Sequence, residues 1–208
     1  KSARRVEAAL TGAGVDVRIL DLGDCRTAED AARSADCALD QIAKLAGARV
    51  IAAASTEEKC AYCRAQGADE TINYGSEDLR TRLKEITGGE GPDLVYDPVG
   101  GDLSEPAFRS IAWRGRHLVI GFAAGTIPSL RLNLALVKGA SIVGVFWGAF
   151  AKREPEANAA MMRELAGWYA AGKIKPHVDG TLPMSELKAA YARMASRAVM
   201  GKLVLVND

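Results

Sequence analysis

Short apolar segments alternate with amphipathic ones through most of this chain. Four segments have the composition of strands buried on both faces of a parallel sheet: residues 49–54, 93–97, 117–122 and 141–147. Between them apolar residues recur at helical spacing, as Leu79, Leu83 and Ile86 do. Toward the end, the pattern predicts a strand near 174–178, a helix over 185–195 and a strand over 202–206. This order predicts a single α/β domain over 1–208 with a doubly wound, Rossmann-like parallel sheet.

The N-terminal part lacks the glycine-rich phosphate loop with which such a fold begins. A dinucleotide fold runs its first strand into G-x-G-x-x-G, so that N–H groups at a helix start meet the pyrophosphate. Here Gly12 and Gly14 form the early G-x-G, but Val17 stands in place of the third glycine, so we interpret both as turn glycines. The pattern over 1–45 predicts helix, strand (15–22), helix and helix. We expect this segment to replace the first strand-helix unit, with 15–22 as the first strand.

Composition and charge narrow the classes of partner. The 208 residues are 49% hydrophobic and 25% charged, and the formal net charge is +1 with no basic stripe. We therefore expect no nucleic-acid partner. No apolar run reaches the roughly 18 residues of a membrane-spanning helix, so we expect no membrane association and a cytoplasmic location.

Four cysteines do not form a disulfide framework in a chain of this length. They are Cys25, Cys37, Cys60 and Cys63, and we expect them to be reduced thiols. The last two form a C-x-x-C, which zinc sites and redox sites use, but no second pair stands at zinc-ribbon spacing. Histidines are also scarce. We favour the interpretation that Cys60 and Cys63 are small apolar residues of a helix and bind no metal.

Hydroxyl and cationic residues follow the first two strands of the predicted sheet. Ligands of open parallel sheets bind beyond the carboxyl ends of the strands. Ser55, Thr56 and Lys59 follow 49–54 with no acidic residue at the strand tip, and Tyr74 ends the next strand. An acid there would hold the ribose hydroxyls of NAD, whereas hydroxyls and a cation suit the extra phosphate of NADP. Helix capping by Ser55 or Thr56 remains the alternative.

Five segments in order carry a resemblance to a known family. They are ARVIAAASTEEKCAYCRAQGADETINY, GPDLVYDPVGGD, GRHLVIGFAAGTIP, NLALVKGASIVGVFWGAF and GKIKPHV. From about Gln41 to the end, the chain resembles the cofactor-binding half of the zinc-independent quinone oxidoreductases of the medium-chain dehydrogenase superfamily. The resemblance implies NADPH as cofactor, a small quinone as substrate and no zinc. It also implies subunit pairing through 141–147, so we expect a homodimer.

The resemblance also implies the cofactor-binding residues. Ser55, Lys59 and Tyr74 would lie near the adenosine 2′-phosphate. The ribose and nicotinamide would lie along Val99, Gly100, Gly121, Phe122 and Ala123. The nicotinamide end would be flanked by Phe146, Trp147 and Gly148. The N-terminal barrel-like domain and the glycine turn of this family are missing from the sequence, so we expect hydride transfer to be weak or absent.

The first 44 residues resemble a second family. KSARRVEAALTGAGVDVRILDL and TAEDAARSADCALDQIAK look like the start of the YbaK family of aminoacyl-tRNA deacylases. That resemblance implies that Lys44 matches a lysine of the deacylase pocket, although the rest of the pocket is not in the sequence. We interpret the chain as a chimera joined near 41–47, engineered or natural. The alternatives to cofactor binding are therefore that the chain is a folded protein without catalysis or, less favoured, that it is deacylase-like.

Overall fold

The computed structural model describes residues 39–196 and 199–207. Its helices are α1 (Leu39–Leu45), α2 (Glu57–Ala65), α3 (Leu79–Ile86), α4 (Ser104–Ser110), α5 (Leu132–Lys138), α6 (Trp147–Arg153), α7 (Pro155–Ala170) and α8 (Leu187–Ala195). Its strands are β1 (Ile51–Ala54), β2 (Glu70–Asn73), β3 (Leu94–Asp97), β4 (Arg116–Val119), β5 (Ser141–Gly144), β6 (Val178–Pro183) and β7 (Lys202–Val206). The predicted elements within 1–38, including strand 15–22, lie outside the described residues.

All strand pairs in the described residues are parallel. β1 pairs with β2, β3 pairs with β4 and β4 pairs with β5. A separate ladder joins β6 to β7. Each crossover between neighbouring strands of the first five contains a helix, as parallel pairing requires. The predicted parallel α/β architecture is confirmed.

Local sequence signals begin and end these helices. Thr56 is the N-cap of α2, because its hydroxyl accepts a hydrogen bond from the Lys59 N–H, and two glutamates occupy the first turn. Of the two predicted caps, Ser55 and Thr56, the second is therefore the one used. Asp78 caps α3 in the same way through the Thr81 N–H.

An apolar cluster packs the helices against the first strand pair. Ile72, Leu79 and Leu83 are buried in it. Partly buried apolar residues pack around them: Ile51, Ile86, Leu103 and Ala107. Since Leu103 and Ala107 follow β3 in the chain, this cluster connects the β1–β2 pair to the segment that leaves β3. A second, smaller cluster joins Ile42 of α1 to Ile174.

One edge of β1 and one edge of β3 carry no strand partner within the described residues. In a doubly wound sheet the first strand lies between these two positions. The prediction that 15–22 occupies this position falls on residues outside the description, so it stays a prediction.

Several predicted strands have different bounds in the structure; the strand predicted over 117–122, for example, is β4 over Arg116–Val119. The strand predicted over 141–147 ends at Gly144, because β4 offers its last ladder partner at Val119, and Trp147 instead begins α6. The strand predicted near 174–178 begins only at Val178. Pro176 has no N–H to give to a ladder, and Ile174 is buried against the helices.

The loop that leads into β3 depends on a glycine at position 91. Gly91 has φ +86°, and a Cβ there would lie 2.0 Å from the Ser110 carbonyl oxygen and 2.9 Å from the Ala112 nitrogen. Gly89 has a similar φ of +96°, but a Cβ there would meet nothing within 4 Å. Only Gly91 therefore combines a left-handed conformation with close contact to α4 and its C-terminal end.

We predict that Gly91→Ala lowers the free energy of unfolding by about 3 kcal/mol, because it adds both backbone strain and a steric clash. Gly89→Ala, the matched control, adds only the strain and should cost about 1 kcal/mol. Urea denaturation of the three proteins measures both values. Equal losses in the two variants would contradict the assigned packing.

Candidate functional site

A carboxylate that is only 12% exposed organises the chain where β3 ends. Asp97 Oδ1 accepts hydrogen bonds from the backbone N–H groups of Val99 (3.0 Å) and Gly100 (2.8 Å). Asp97 Oδ2 accepts from Ser104 Oγ (2.5 Å) and pairs with His117 Nε2 (3.1 Å). One side chain thus binds the turn after β3, the start of α4 and the neighbouring strand β4.

These donors keep Asp97 ionised. Burial by itself would raise the pKa of Asp97, but hydrogen bonds from His117, Ser104 and the Gly100 N–H outweigh it and lower the pKa to about 2. The carboxylate is therefore charged at neutral pH, and its charge is compensated inside the fold.

His117 has a structural position beside this carboxylate. Its side chain is 1% exposed, and its ring meets Phe108 edge-on with a centroid distance of 5.8 Å. Its Nε2–H points to Asp97, and its Nδ1 has no hydrogen-bond partner in the part of the chain that the structure describes. Sequence reasoning placed His117 in a strand but did not connect it to Asp97, which is 20 residues earlier.

Backbone hydrogen bonds join the loop after β3 to the loop after β4. Ala123 N–H donates to Pro98 O (3.1 Å) and Ala124 N–H donates to Val99 O (2.9 Å). In the other direction, Gly101 N–H donates to Thr126 O (3.0 Å). The predicted site residues Val99, Gly100, Gly121, Phe122 and Ala123 are therefore brought together on two connected loops.

Glycine at position 100 permits this close approach. Gly100 has φ +68°, and a Cβ there would lie 2.9 Å from Phe122 Cδ1 and 3.4 Å from Thr126 O. A side chain at this position would separate the loops or displace Phe122. The glycine therefore allows the two loops to pack closely at the carboxyl ends of β3 and β4, with Phe122 against Gly100.

The three residues predicted to contact the 2′-phosphate also lie near one another. Tyr74 N–H donates to Ala54 O at the end of the β1–β2 ladder, and a Cβ on Gly75 would lie 2.5 Å from Ser55 O. Ser55 is thus adjacent to the Tyr74 turn. Lys59 is in the first turn of α2, directly after Ser55 and the capping Thr56.

The residues predicted for the nicotinamide end follow β5. Val145 N–H donates to Val119 O, which places this segment beside the end of β4. Phe146 is 69% exposed, whereas Trp147 is 7% exposed and packs edge-on against Phe150. Gly148 lies in the first turn of α6. Trp147 Nε1 has no hydrogen-bond partner among the described residues.

The described residues do not fit a zinc ion. Within 39–196 and 199–207 no three His, Cys, Asp or Glu side chains are grouped as metal ligands. Cys60 is buried in α2, and burial, with a smaller contribution from Glu57, raises the pKa of its thiol. Cys63 lies one turn later in the same helix and is partly buried. Cys25 and Cys37 lie outside the description.

The structure also shows where Lys44 lies, the lysine that the deacylase resemblance singles out. Lys44 Nζ forms an ion pair with Asp69 Oδ1 (2.7 Å), and Asp69 also accepts from the Val50 N–H. Lys44 therefore connects α1 to the segments leading into β1 and β2.

Among the described helices, none is both long and apolar enough to span a membrane.

Comparison with known proteins identifies relatives of this architecture. Residues 37–166 match the family described as zinc-binding dehydrogenase. The chain is 33% identical over 168 residues to a quinone oxidoreductase-like protein 2 homolog of Nematostella vectensis, covering 80% of this chain and 46% of the relative. It is 34% identical to quinone oxidoreductase 1 of Escherichia coli, covering 80% of this chain and 51% of the relative. The chain thus spans about half the length of these curated relatives.

A solved structure shares the fold. The Escherichia coli quinone oxidoreductase complexed with NADPH superimposes with a TM-score of 0.77 at 27% identity, covering 97% of this chain and 61% of that chain. The described architecture is therefore a Rossmann-like parallel α/β fold of the kind found in quinone oxidoreductases.

We predict that Asp97→Asn lowers the free energy of unfolding by about 2.5 kcal/mol at pH 7, because an amide cannot accept all four hydrogen bonds. The folded-state pKa is below the ordinary value of 3.8. The carboxylate therefore stabilises the protein above about pH 4, and this contribution is lost as the pH falls toward about 2.

Urea denaturation at a series of pH values tests this expectation, with the exposed Asp102→Asn as control. The Asp97→Asn variant should lose less stability than the wild type between pH 5 and 2, about the range over which the group titrates. If both proteins lost the same amount of stability on acidification, Asp97 would not accept these hydrogen bonds in the folded protein.

Proposed function

The chain belongs to the zinc-binding dehydrogenase family, and on that premise we propose that it is the NADPH-binding part of a quinone oxidoreductase. The observation that carries this proposal is the pair of connected loops at the ends of β3 and β4. Gly100 lets Phe122 and the loop after β4 pack directly on the turn, and Asp97 holds the turn in one conformation. We assign the cofactor's ribose and nicotinamide to Val99, Gly100, Gly121, Phe122 and Ala123.

We propose NADPH rather than NADH because of the residues at the carboxyl ends of β1 and β2. The two residues directly after β1, Ser55 and Thr56, carry hydroxyls in place of the carboxylate with which NAD-binding folds hold the ribose hydroxyls. Ser55 and Tyr74 supply hydroxyls and Lys59 supplies a positive charge, a combination suited to a phosphate. The NADPH complex of the Escherichia coli quinone oxidoreductase supports this choice.

Phe146, Trp147 and Gly148 would then border the nicotinamide. NADPH would supply a hydride to a small quinone, and the chain would bind and orient the cofactor. Trp147 offers a buried N–H donor at this end, without a partner among the described residues. Because the chain spans about half the length of its curated relatives, we propose that hydride transfer by this chain alone is weak or absent.

The interpretation as a chimera without catalysis, or with a deacylase-like segment, concerns residues 1–44. Lys44, the lysine on which the deacylase resemblance depends, is in an ion pair with Asp69. This contact gives it a structural role within the quinone oxidoreductase-like part. No observation among the described residues favours either alternative over cofactor binding.

We further propose a homodimer formed through β5. Within the described residues β5 pairs with β4 alone, so its other edge presents unpaired N–H and C=O groups. The neighbouring α5 exposes Leu132 and Leu136, each 79% exposed, and Val137. An open strand edge, together with exposed apolar residues on the helix that precedes this strand in the chain, is suited to pairing with a second copy.

We predict saturable NADPH binding, measured by nicotinamide fluorescence during titration of the purified chain. Lys59→Ala should weaken NADPH binding about tenfold, because it removes a charged phosphate contact, and should leave NADH binding unchanged. Lys188→Ala, which removes an exposed lysine of α8, is the matched control. Absence of saturable binding, or equal weakening of both nucleotides by Lys59→Ala, would contradict the proposed site.

We predict that sedimentation velocity detects a dimer whose fraction rises with protein concentration. Leu136→Glu should shift the protein to monomer, because it places a charge in the apolar surface. Tyr191→Glu, at an exposed aromatic residue of α8, should leave the dimer intact. A monomer at all concentrations, or a dimer unaffected by Leu136→Glu, would refute pairing through this surface.

A further inference from the structure

A positively charged cavity lies between α3 and α4, and none of the residues assigned above to the cofactor lines it. It has a volume of about 370 Å³, and four cationic side chains line it: Arg80, Lys84, Arg109 and Lys138. They come from α3, α4 and the last turn of α5. Asp78 is the one carboxylate among the lining residues. We call this the α3–α4 cavity.

Part of this charge is already compensated. Both Nε and Nη2 of Arg109 contact Glu105 Oε1 at 2.7 Å. Lys138 Nζ donates one of its three protons to Ile111 O (2.9 Å). The Asp78 carboxylate accepts from Thr81 N and Oγ1, so it is engaged in capping α3. The single acid thus caps its own helix through Oδ1, and its charge also attracts the neighbouring Arg80.

Arg80 and Lys84 remain available. The charge of Arg80 is attracted by the neighbouring Asp78, but neither side chain forms an ion pair or a side-chain hydrogen bond within the residues that the structure describes. The chain as a whole has a net charge of only +1, so the excess of positive charge at this cavity is local. Like charges converging on a concave surface repel one another unless an anion joins them.

We propose that the α3–α4 cavity binds a multiply charged phosphate-type anion. The guanidinium of Arg80 matches phosphate oxygens with two parallel donors, and the ammonium groups of Lys84 and Lys138 add charge. Three cationic side chains around one cavity favour a ligand that carries several negatively charged oxygens over a ligand with a single carboxylate. Arg80 also borders an adjoining cavity of about 470 Å³, lined in part by Gly101 and Thr126.

This site is separate from the proposed cofactor phosphate site. The latter is formed by Ser55, Lys59 and Tyr74 at the end of β1 and β2, none of which lines the α3–α4 cavity. The proposal therefore does not depend on NADPH binding, and the two can be tested independently.

Isothermal titration of the full chain with inorganic pyrophosphate, in phosphate-free buffer at low ionic strength, tests the proposal. Binding should be saturable and should weaken as salt is added. The double variant Arg80→Gln/Lys84→Gln should bind at least about tenfold more weakly. Lys84→Gln alone should give a smaller loss, which separates loss of the site from loss of the fold; melting temperatures of all variants are compared.

The matched control is Arg163→Gln/Lys188→Gln, which removes one exposed arginine and one exposed lysine from α7 and α8. It should bind pyrophosphate as the wild type does, and saturating NADPH should not displace the anion. Absence of saturable binding, equal binding by the two double variants, or displacement by NADPH would each overturn the proposal. So would binding of a hexaglutamate peptide in place of pyrophosphate.

Discussion

The arrangement of the site depends on compensating one buried negative charge. Asp97 ends β3 inside the fold, where an unpaired carboxylate would be costly. Its four hydrogen-bond donors come from the following turn, from the start of α4 and from β4. Satisfying the charge therefore fixes where the chain goes after β3 and in which register β4 lies beside it. The four hydrogen bonds that stabilise the Asp97 carboxylate are thus the same contacts that position these segments.

The candidate cofactor surface follows from this constraint. Once the turn after β3 is fixed, Pro98 and Val99 present carbonyl groups that accept hydrogen bonds from the loop after β4. Gly100 lets the two loops approach without a side chain between them. The β1–β2 pair adds a second group of polar residues, held by the capped helix α2. Binding residues are thus positioned by strand ends and caps, while the apolar cluster around Ile72 keeps the layers together.

The sequence was sufficient for those features that depend on local pattern. Short apolar segments separated by amphipathic ones predicted the parallel strands, and hydroxyl residues before two glutamates predicted a cap at Ser55 or Thr56. Features that depend on distant residues could not be derived in this way. Asp97 and His117 meet only through the register of β3 and β4. The basic cavity brings Arg80 together with Lys138, which lies in a different helix. Strand ends were also missed where a partner strand stops, as at Gly144.

The most direct test of this account is a crystal structure of the chain grown with NADPH. We expect nucleotide density across the carboxyl ends of the strands, with the 2′-phosphate near Ser55 and Lys59 and the ribose and nicotinamide along the loops that Asp97 and its partners hold. The turn at Gly100 should keep its hydrogen bonds to Asp97 in the complex. Nucleotide bound elsewhere, or a turn that leaves Asp97 when NADPH binds, would contradict the central claim.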